Sequence, residues 1–293
     1  MCTELTSRQL NDYHRDGFVA GIRVFDTDAV GAIRAEIERL EHDQPKVEGG
    51  HDLNRYFRVN GHLVIPLLAD LARTPAILDA VEPILGPDLL AWSVELFIKE
   101  PGSNKSVSWH QDLTYWGMGE TDGEVTAWVA LSDVSVQAGC MRFIPGSHLG
   151  RIVDHEDTFD AGNLLSRGQQ IAGVEEDRAV HGPLAPGEMS LHHGRCFHAS
   201  GPNRSPDRRI GLAIRYVTPG VRQEAPGRDY AMLVRGSDPV QGWINVAGPR
   251  GLFAPEDLVF YDRVVADQSA TLAAGAAGDV SLYDTGTGQE GLQ

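Results

Sequence analysis

Polar and apolar residues follow one another in two textures, and the change comes near residue 88. Before it the repeat is helical. Thr27-Asp28 opens AVGAIRAEIERLEHD, where Val30, Ile33, Ile37 and Leu40 recur at the spacing of one helix face. Thr6 or Ser7 can cap an earlier helix through Gln9–His14, which Gly17 stops. Leu63–Leu71 and Pro75–Leu85 read as two more short helices, the second ended by Gly86-Pro87. Residues 45–56, PKVEGGHDLNRY, carry loop signals. On this reading the first 85 or so residues are helical.

Beyond residue 88 the runs are short and β-like: LLAWSVELFIKE, SVSWHQDL, VTAWVALSDV, CMRFIP, EMSLHHG and RIGLAIRYVT. Pro101-Gly102, Pro145-Gly146, Pro186-Gly187, Gly201-Pro202 and Pro206-Asp207 punctuate them. Many short strands between such turns predict a sandwich or barrel of jelly-roll type. Residues 150–182 read as a long polar insertion, a candidate lid whose Glu175, Glu176 and Asp177 fit a solvated loop. LFAPEDLVFYDR looks helical, and the tail from about 275 has few large apolar residues, so it is expected to be flexible.

Composition narrows the function. With 293 residues and 42% hydrophobic content the chain can bury a sizeable core. A net charge of −16 disfavours nucleic acid and anionic membranes as partners. No apolar run is long enough to span a bilayer, and MCTELTSRQLNDYHRDGF lacks the apolar stretch of a secretory signal. Cys2, Cys140 and Cys196 are widely spaced with no CxxC, which fits a reducing cytoplasm better than a disulfide framework. No GxSxG is present, and neither Cys140 nor Cys196 has a nucleophile's surroundings. Oligomeric state is not legible.

The chemistry centres on Trp109-His110-Gln111-Asp112. Alternate side chains of a strand point the same way, so His110 and Asp112 would share a face. One imidazole nitrogen and one carboxylate oxygen there can grip a metal. A second histidine would complete a two-His-one-carboxylate set and leave three octahedral positions open, as Fe(II) oxygenases need for a chelating co-substrate and O₂. Alone, His-x-Asp is a weak motif and more often a hydrogen-bonded surface pair. The segment PGEMSLHHGRCFHASGPN offers His198 at a strand end, with His192 and His193 as supports. Arg208-Arg209 opens RRIGLAIRYV. A buried strand rarely carries an unpaired arginine, and a guanidinium fork fits a carboxylate, so Arg209 is expected to anchor the distal carboxylate of 2-oxoglutarate. Arg208 reads as a surface residue.

Together with YHRDGFV, ILDAVEPILGPDLLAWSVELFIKEPG, WHQDLTYW, TAWVALSDVSVQAGCMRFIPGSH and HHGRCFHASGPNRSPDRR, this order of His-x-Asp, His and Arg resembles the phytanoyl-CoA dioxygenase family of Fe(II)/2-oxoglutarate oxygenases. The resemblance covers about residues 8–220. It implies a mainly β fold with α, a double-stranded β-helix (jelly-roll, cupin-like) core with N-terminal helices packed on it. One oxygenase domain would fill 1–293: a mainly helical part at 1–87, the core at 88–220 and a C-terminal extension at 221–293. The resemblance implies His110, Asp112 and His198 as iron ligands, and Arg209, Ser200, Trp128, Thr126 and Arg58 around the 2-oxoglutarate. His148, in IPGSHLG, receives no metal role.

The implied reaction consumes 2-oxoglutarate and O₂, releases succinate and CO₂, and hydroxylates a C–H bond of a small molecule. The small residue that halogenating relatives carry in place of the carboxylate is absent, since Asp112 is there. The ligand set leaves desaturation, cyclisation, epoxidation and demethylation open; a non-catalytic metal-binding module is the remote alternative. Tyr115, Trp116, Arg215 and Glu95 are candidates for the substrate side, Arg215 because it shares strand parity with Arg209.

Overall fold

The computed structural model describes residues 4–114, 116–158, 162–165, 168–223 and 228–273. Helix α1 spans Ser7–Asp16. Its N-terminus is a capping box in which the Thr6 hydroxyl accepts from the Gln9 amide and the Gln9 side chain accepts from the Thr6 amide. Gly17 ends it in the left-handed region at φ 84°. Strand β1 follows at Phe18–Arg23, where the sequence reading expected only helices and loops. Its Phe, Val and Ile suit a strand, and pairing with an existing sheet overrides the helical context.

Helix α2, Thr27–Asp43, buries Val30, Ile33, Ile37 and Leu40 as their spacing predicts, and Asp26 caps it. Helix α3, Leu53–Arg58, corrects a second expectation, because its sequence carries loop signals; Leu53, Tyr56 and Phe57 bury one face of a short helix. Helices α4, Pro66–Ala72, and α5, Pro75–Leu85, each begin on a proline, whose missing N–H costs nothing there.

The strands are β2 Leu89–Lys99, β3 Val107–His110, β4 Glu124–Ala130, β5 Met141–Phe143, β6 Val180–Gly182, β7 Glu188–His192, β8 His198–Ser200, β9 Arg209–Val217, β10 Tyr230–Arg235 and β11 Ile244–Asn245. Helix α6 closes the order at Pro255–Ala273. A seven-stranded sheet runs β1-β7-β4-β9-β2-β10-β11, and a four-stranded sheet runs β3-β8-β5-β6. All pairings are antiparallel except β10 with β11. This is the jelly-roll architecture with helices packed on it.

The two faces of the large sheet differ. One face carries Val94, Leu96, Val125, Ala127, Val129, Ile210, Leu212 and Ile214, which join the core residues of α2, α4 and α5 in one apolar cluster. The alternate positions, Glu95, Phe97, Lys99, Thr126, Trp128, Arg209, Ala213 and Arg215, point the other way. The outer face therefore supplies the cohesion, and the inner face is free to carry polar chemistry. Described residues of the 150–182 segment pair with β3 and the residue before it: the Ile171 amide donates to Trp109 O at 2.8 Å, and the Leu164 amide to Ser106 O at 2.8 Å. Its Glu175, Glu176 and Asp177 are exposed, as a solvated stretch requires. The tail from about 275 lies outside the described residues. No helix among the described residues is long and apolar enough to cross a membrane.

Candidate metal and co-substrate site

His110 closes β3, His198 opens β8, and the two are direct partners in the pairing of those strands. Asp112 is not on the strand. The chain leaves β3 after His110 and turns through a short 3₁₀ segment at Asp112–Thr114, where the Leu113 amide donates to Gly194 O at 3.1 Å. A turn, rather than strand alternation, brings the carboxylate beside the imidazole. The ligating atoms of the three side chains lie within 4.8 Å of one another. Asp112 Oδ1 is 3.4 Å from His110 Nε2 and 3.8 Å from His198 Nε2. One cation bonded at about 2.0–2.2 Å to each fits between them.

The donors are prepared for a metal. His110 Nδ1 lies 2.8 Å from Ser108 O, and His198 Nδ1 lies 2.9 Å from Cys196 O. Each carbonyl accepts a hydrogen bond from Nδ1–H, which fixes the proton on Nδ1 and leaves Nε2 as the ligating atom. Burial, then the neighbouring His110 and His192, keep His198 well below the usual imidazole range. Burial alone would raise the Asp112 carboxyl; His198, His110, His192 and Arg215 outweigh it and hold it well below its ordinary value. Neutral imidazole and ionised carboxylate are the forms that bind a metal.

The ligands open into a cleft that reaches along β9 from Arg215 to Arg209. Arg209 is fully buried, its Nε has no hydrogen-bond partner, and no carboxylate pairs with it among the described residues. Burial draws it down to about 10. Its guanidinium stacks on Trp128, 4.5 Å from the ring centroid. Gly211 permits this, because a Cβ there would come 1.8 Å from the Trp128 ring. Ser200 lines the same end. An unpaired buried cation is expensive, and a dicarboxylate seated between the metal and Arg209 would satisfy it. The residues thus fit both iron and 2-oxoglutarate.

Arg58 stands beyond Phe97, with its guanidinium 4.3 Å from that ring centroid and Nη2 donating to Leu164 O at 2.8 Å. Thr126 sits elsewhere than at the Arg209 end: its hydroxyl is 3.0 Å from Asp112 Oδ2. Arg215 lines the cleft on the far side and pairs with Glu95 at 3.0 Å, and Trp116 covers it, 4.8 Å from ring centroid to guanidinium. Trp116 packs on Trp92. Tyr115 lies outside the described residues. Arg208 turns away and ties β9 to α2 through Glu41 at 2.7 Å. His148 holds the chain near α1, with Nε2 3.2 Å from His14 O.

Sequence reading missed two residues. Lys99 is fully buried and donates to Ser200 Oγ at 2.8 Å and to Gly201 O at 2.7 Å. Burial, then Arg209 and Arg58, lower it to about 6. Its signal in the sequence was a lysine of the same strand parity as Glu95; the structure adds that it lies opposite Arg209. Glu124 is also fully buried, two residues before Thr126 and so on the same face.

Residues 13–211 match the family model described as phytanoyl-CoA dioxygenase (PhyH). A probable alpha-ketoglutarate-dependent hypophosphite dioxygenase of Stutzerimonas stutzeri is 27% identical over 72% of this chain and 78% of its own. An L-proline trans-4-hydroxylase of Streptomyces griseoviridis is 27% identical over 78% of this chain and 92% of its own. Among solved structures, the non-heme monooxygenase ThoJ in its apo form superposes with a TM-score of 0.79 at 34% identity, covering 90% of this chain and 97% of that one. The chain belongs to the phytanoyl-CoA dioxygenase family, and it is an enzyme dependent on Fe(II) and 2-oxoglutarate.

Proposed function

We propose that the enzyme hydroxylates an unactivated C–H bond of a small molecule while converting 2-oxoglutarate and O₂ to succinate and CO₂. The supporting observation is the juxtaposition of three convergent ligands with an unpaired guanidinium at the far end of the same cleft. In this reading His110, Asp112 and His198 hold the iron on one face. Bound there, iron supplies the activation of O₂ and the oxidative decarboxylation of 2-oxoglutarate. Arg209 and Ser200 hold the distal carboxylate of the co-substrate, and Trp128 walls its carbon chain. Lys99 keeps the Ser200 hydroxyl in place. Arg215, Glu95 and Trp116 border the space left for the substrate. Relatives named for hypophosphite and for L-proline favour a small polar substrate. Cys140 and Cys196 are buried and unbridged, in keeping with work in a reducing cytoplasm.

The test is anaerobic reconstitution with Fe(II) and 2-oxoglutarate, then O₂, with succinate measured across a panel of amino acids, amines, phosphonates and acyl compounds. The reading expects at least one compound to raise succinate release and to gain one oxygen in mass. A product lighter by two hydrogens would replace hydroxylation by desaturation. Succinate release that persists without iron would end the proposal.

A further inference from the structure

Asp112 has two carboxylate oxygens, and the protein treats them differently. Oδ1 faces His110 and His198. Oδ2 lies 3.0 Å from the Thr126 hydroxyl and 3.4 Å from His192 Nε2. The same Thr126 hydroxyl is 3.0 Å from Glu124 Oε1. A threonine hydroxyl carries one proton and can donate to one acceptor. With both acids ionised, one of these contacts would set lone pair against lone pair inside a dry wall, at the cost of an unsatisfied buried charge.

Burial and the charge of Asp112 oppose an ionised Glu124 more strongly than Thr126, the charge of Arg215 and the main chain at Gly194 favour it. Glu124 is fully buried, and its Oε2 has no hydrogen-bond partner among the described residues. Arg215 spends its ion pair on Glu95 instead. The main chain closes over Oε2 at Gly194, where a Cβ would come within 2.4 Å. Burial, followed by the charge of Asp112, pushes the Glu124 carboxyl well above its usual range.

We propose that Glu124 is a positioning residue: its carboxyl donates to Thr126 Oγ1, Thr126 donates to Asp112 Oδ2, and this one-way relay presents only Oδ1 to the metal. The inference rests on Asp112 being an iron ligand. Its consequence is geometric. A carboxylate held by one oxygen takes one coordination position, and the two that 2-oxoglutarate needs plus one for O₂ stay open.

Two measurements test it. The first is an infrared difference spectrum of wild type against Glu124→Gln at neutral pH. A protonated-carboxyl stretch that shifts in D₂O should be present in wild type and missing from the variant. The second is Co(II) binding to the whole chain, followed by the visible spectrum of the bound ion. Glu124→Gln keeps an N–H donor toward Thr126 and should hold Co(II) within about 3-fold of wild type, whereas Glu124→Leu and Thr126→Val should lose roughly 10- to 100-fold and alter the spectrum. Thr126→Ser should restore both. A wild type without the protonated-carboxyl band overturns the relay, as does Glu124→Leu with wild-type affinity and spectrum. If the band is present but wild type fails to bind Co(II), the ligand assignment is at fault and the hydrogen-bond polarity stands.

Discussion

Arg209 and Arg215 stand on the same face of the same strand, about 20 Å apart along it, yet the protein surrounds them oppositely. Arg209 shares its end with Lys99, has no acid beside it among the described residues, and burial lowers it to about 10. Arg215 is also enclosed and burial works against it too, but Glu95, first, and Asp112 more than compensate and raise it. One guanidinium is charge-balanced within the fold. On the function proposed above, the other is left for an anion that arrives from outside. The cleft therefore has one end, proposed above for the co-substrate, where the Arg209 guanidinium meets no acid among the described residues, and an opposite end where Arg215 is matched by Glu95. Burial by itself says little about an arginine; the company of acids decides whether it is structural or receptive.

The sharpest way to break this contrast is the pair Arg209→Met and Arg215→Met. The first should weaken 2-oxoglutarate binding by about 100-fold, on the order of 3 kcal/mol for a lost charge-assisted pair, without lowering the melting temperature of the ligand-free protein. The second should leave 2-oxoglutarate affinity within about 3-fold and destabilise the fold by roughly 3 kcal/mol, because it strands Glu95. Calorimetric titration and thermal unfolding separate them, and equal effects on affinity would erase the distinction.

Lys99 gives a subtler test. Its amine, lowered to about 6 in the unliganded cleft, should take up a proton when the dianion binds. Above pH 6 the free protein holds less of that proton than the complex does, so 2-oxoglutarate affinity should fall as pH rises toward the ordinary lysine value. Titrations at pH 8 in buffers of different ionisation enthalpy should record net proton uptake, absent in Lys99→Met. The smallest effect is expected from Ser200→Ala, a loss of about 5-fold in 2-oxoglutarate affinity for one hydroxyl contact. An unchanged affinity would remove Ser200 from the co-substrate end.

Much of this was legible in the chain. The helical spacing of Val30, Ile33, Ile37 and Leu40 fixed α2, and the β-like runs located β2, β4 and β9. An arginine opening an apolar strand pointed to Arg209. What escaped depended on tertiary pairing. FVAGIR becomes β1 because β7 offers an edge, and LNRYFR becomes α3 because Tyr56 and Phe57 find a core. His110 and Asp112 meet through a turn that no alternation encodes. Lys99 drew no reading of its own in the sequence, because only the pairing of β2 with β9 sets it opposite Arg209. Glu124 precedes the apolar run VTAWVAL, and only the packing of β4 in the sheet, with Gly194 close over the carboxyl, shows it to be a buried acid.

Anomalous diffraction at the iron edge, on crystals grown anaerobically with Fe(II) and 2-oxoglutarate, tests the central claim most directly. The account predicts one peak in contact with His110 Nε2, Asp112 Oδ1 and His198 Nε2, and a co-substrate whose distal carboxylate meets Arg209. A peak away from those three atoms, or a carboxylate paired with Arg215 in place of Arg209, would contradict it.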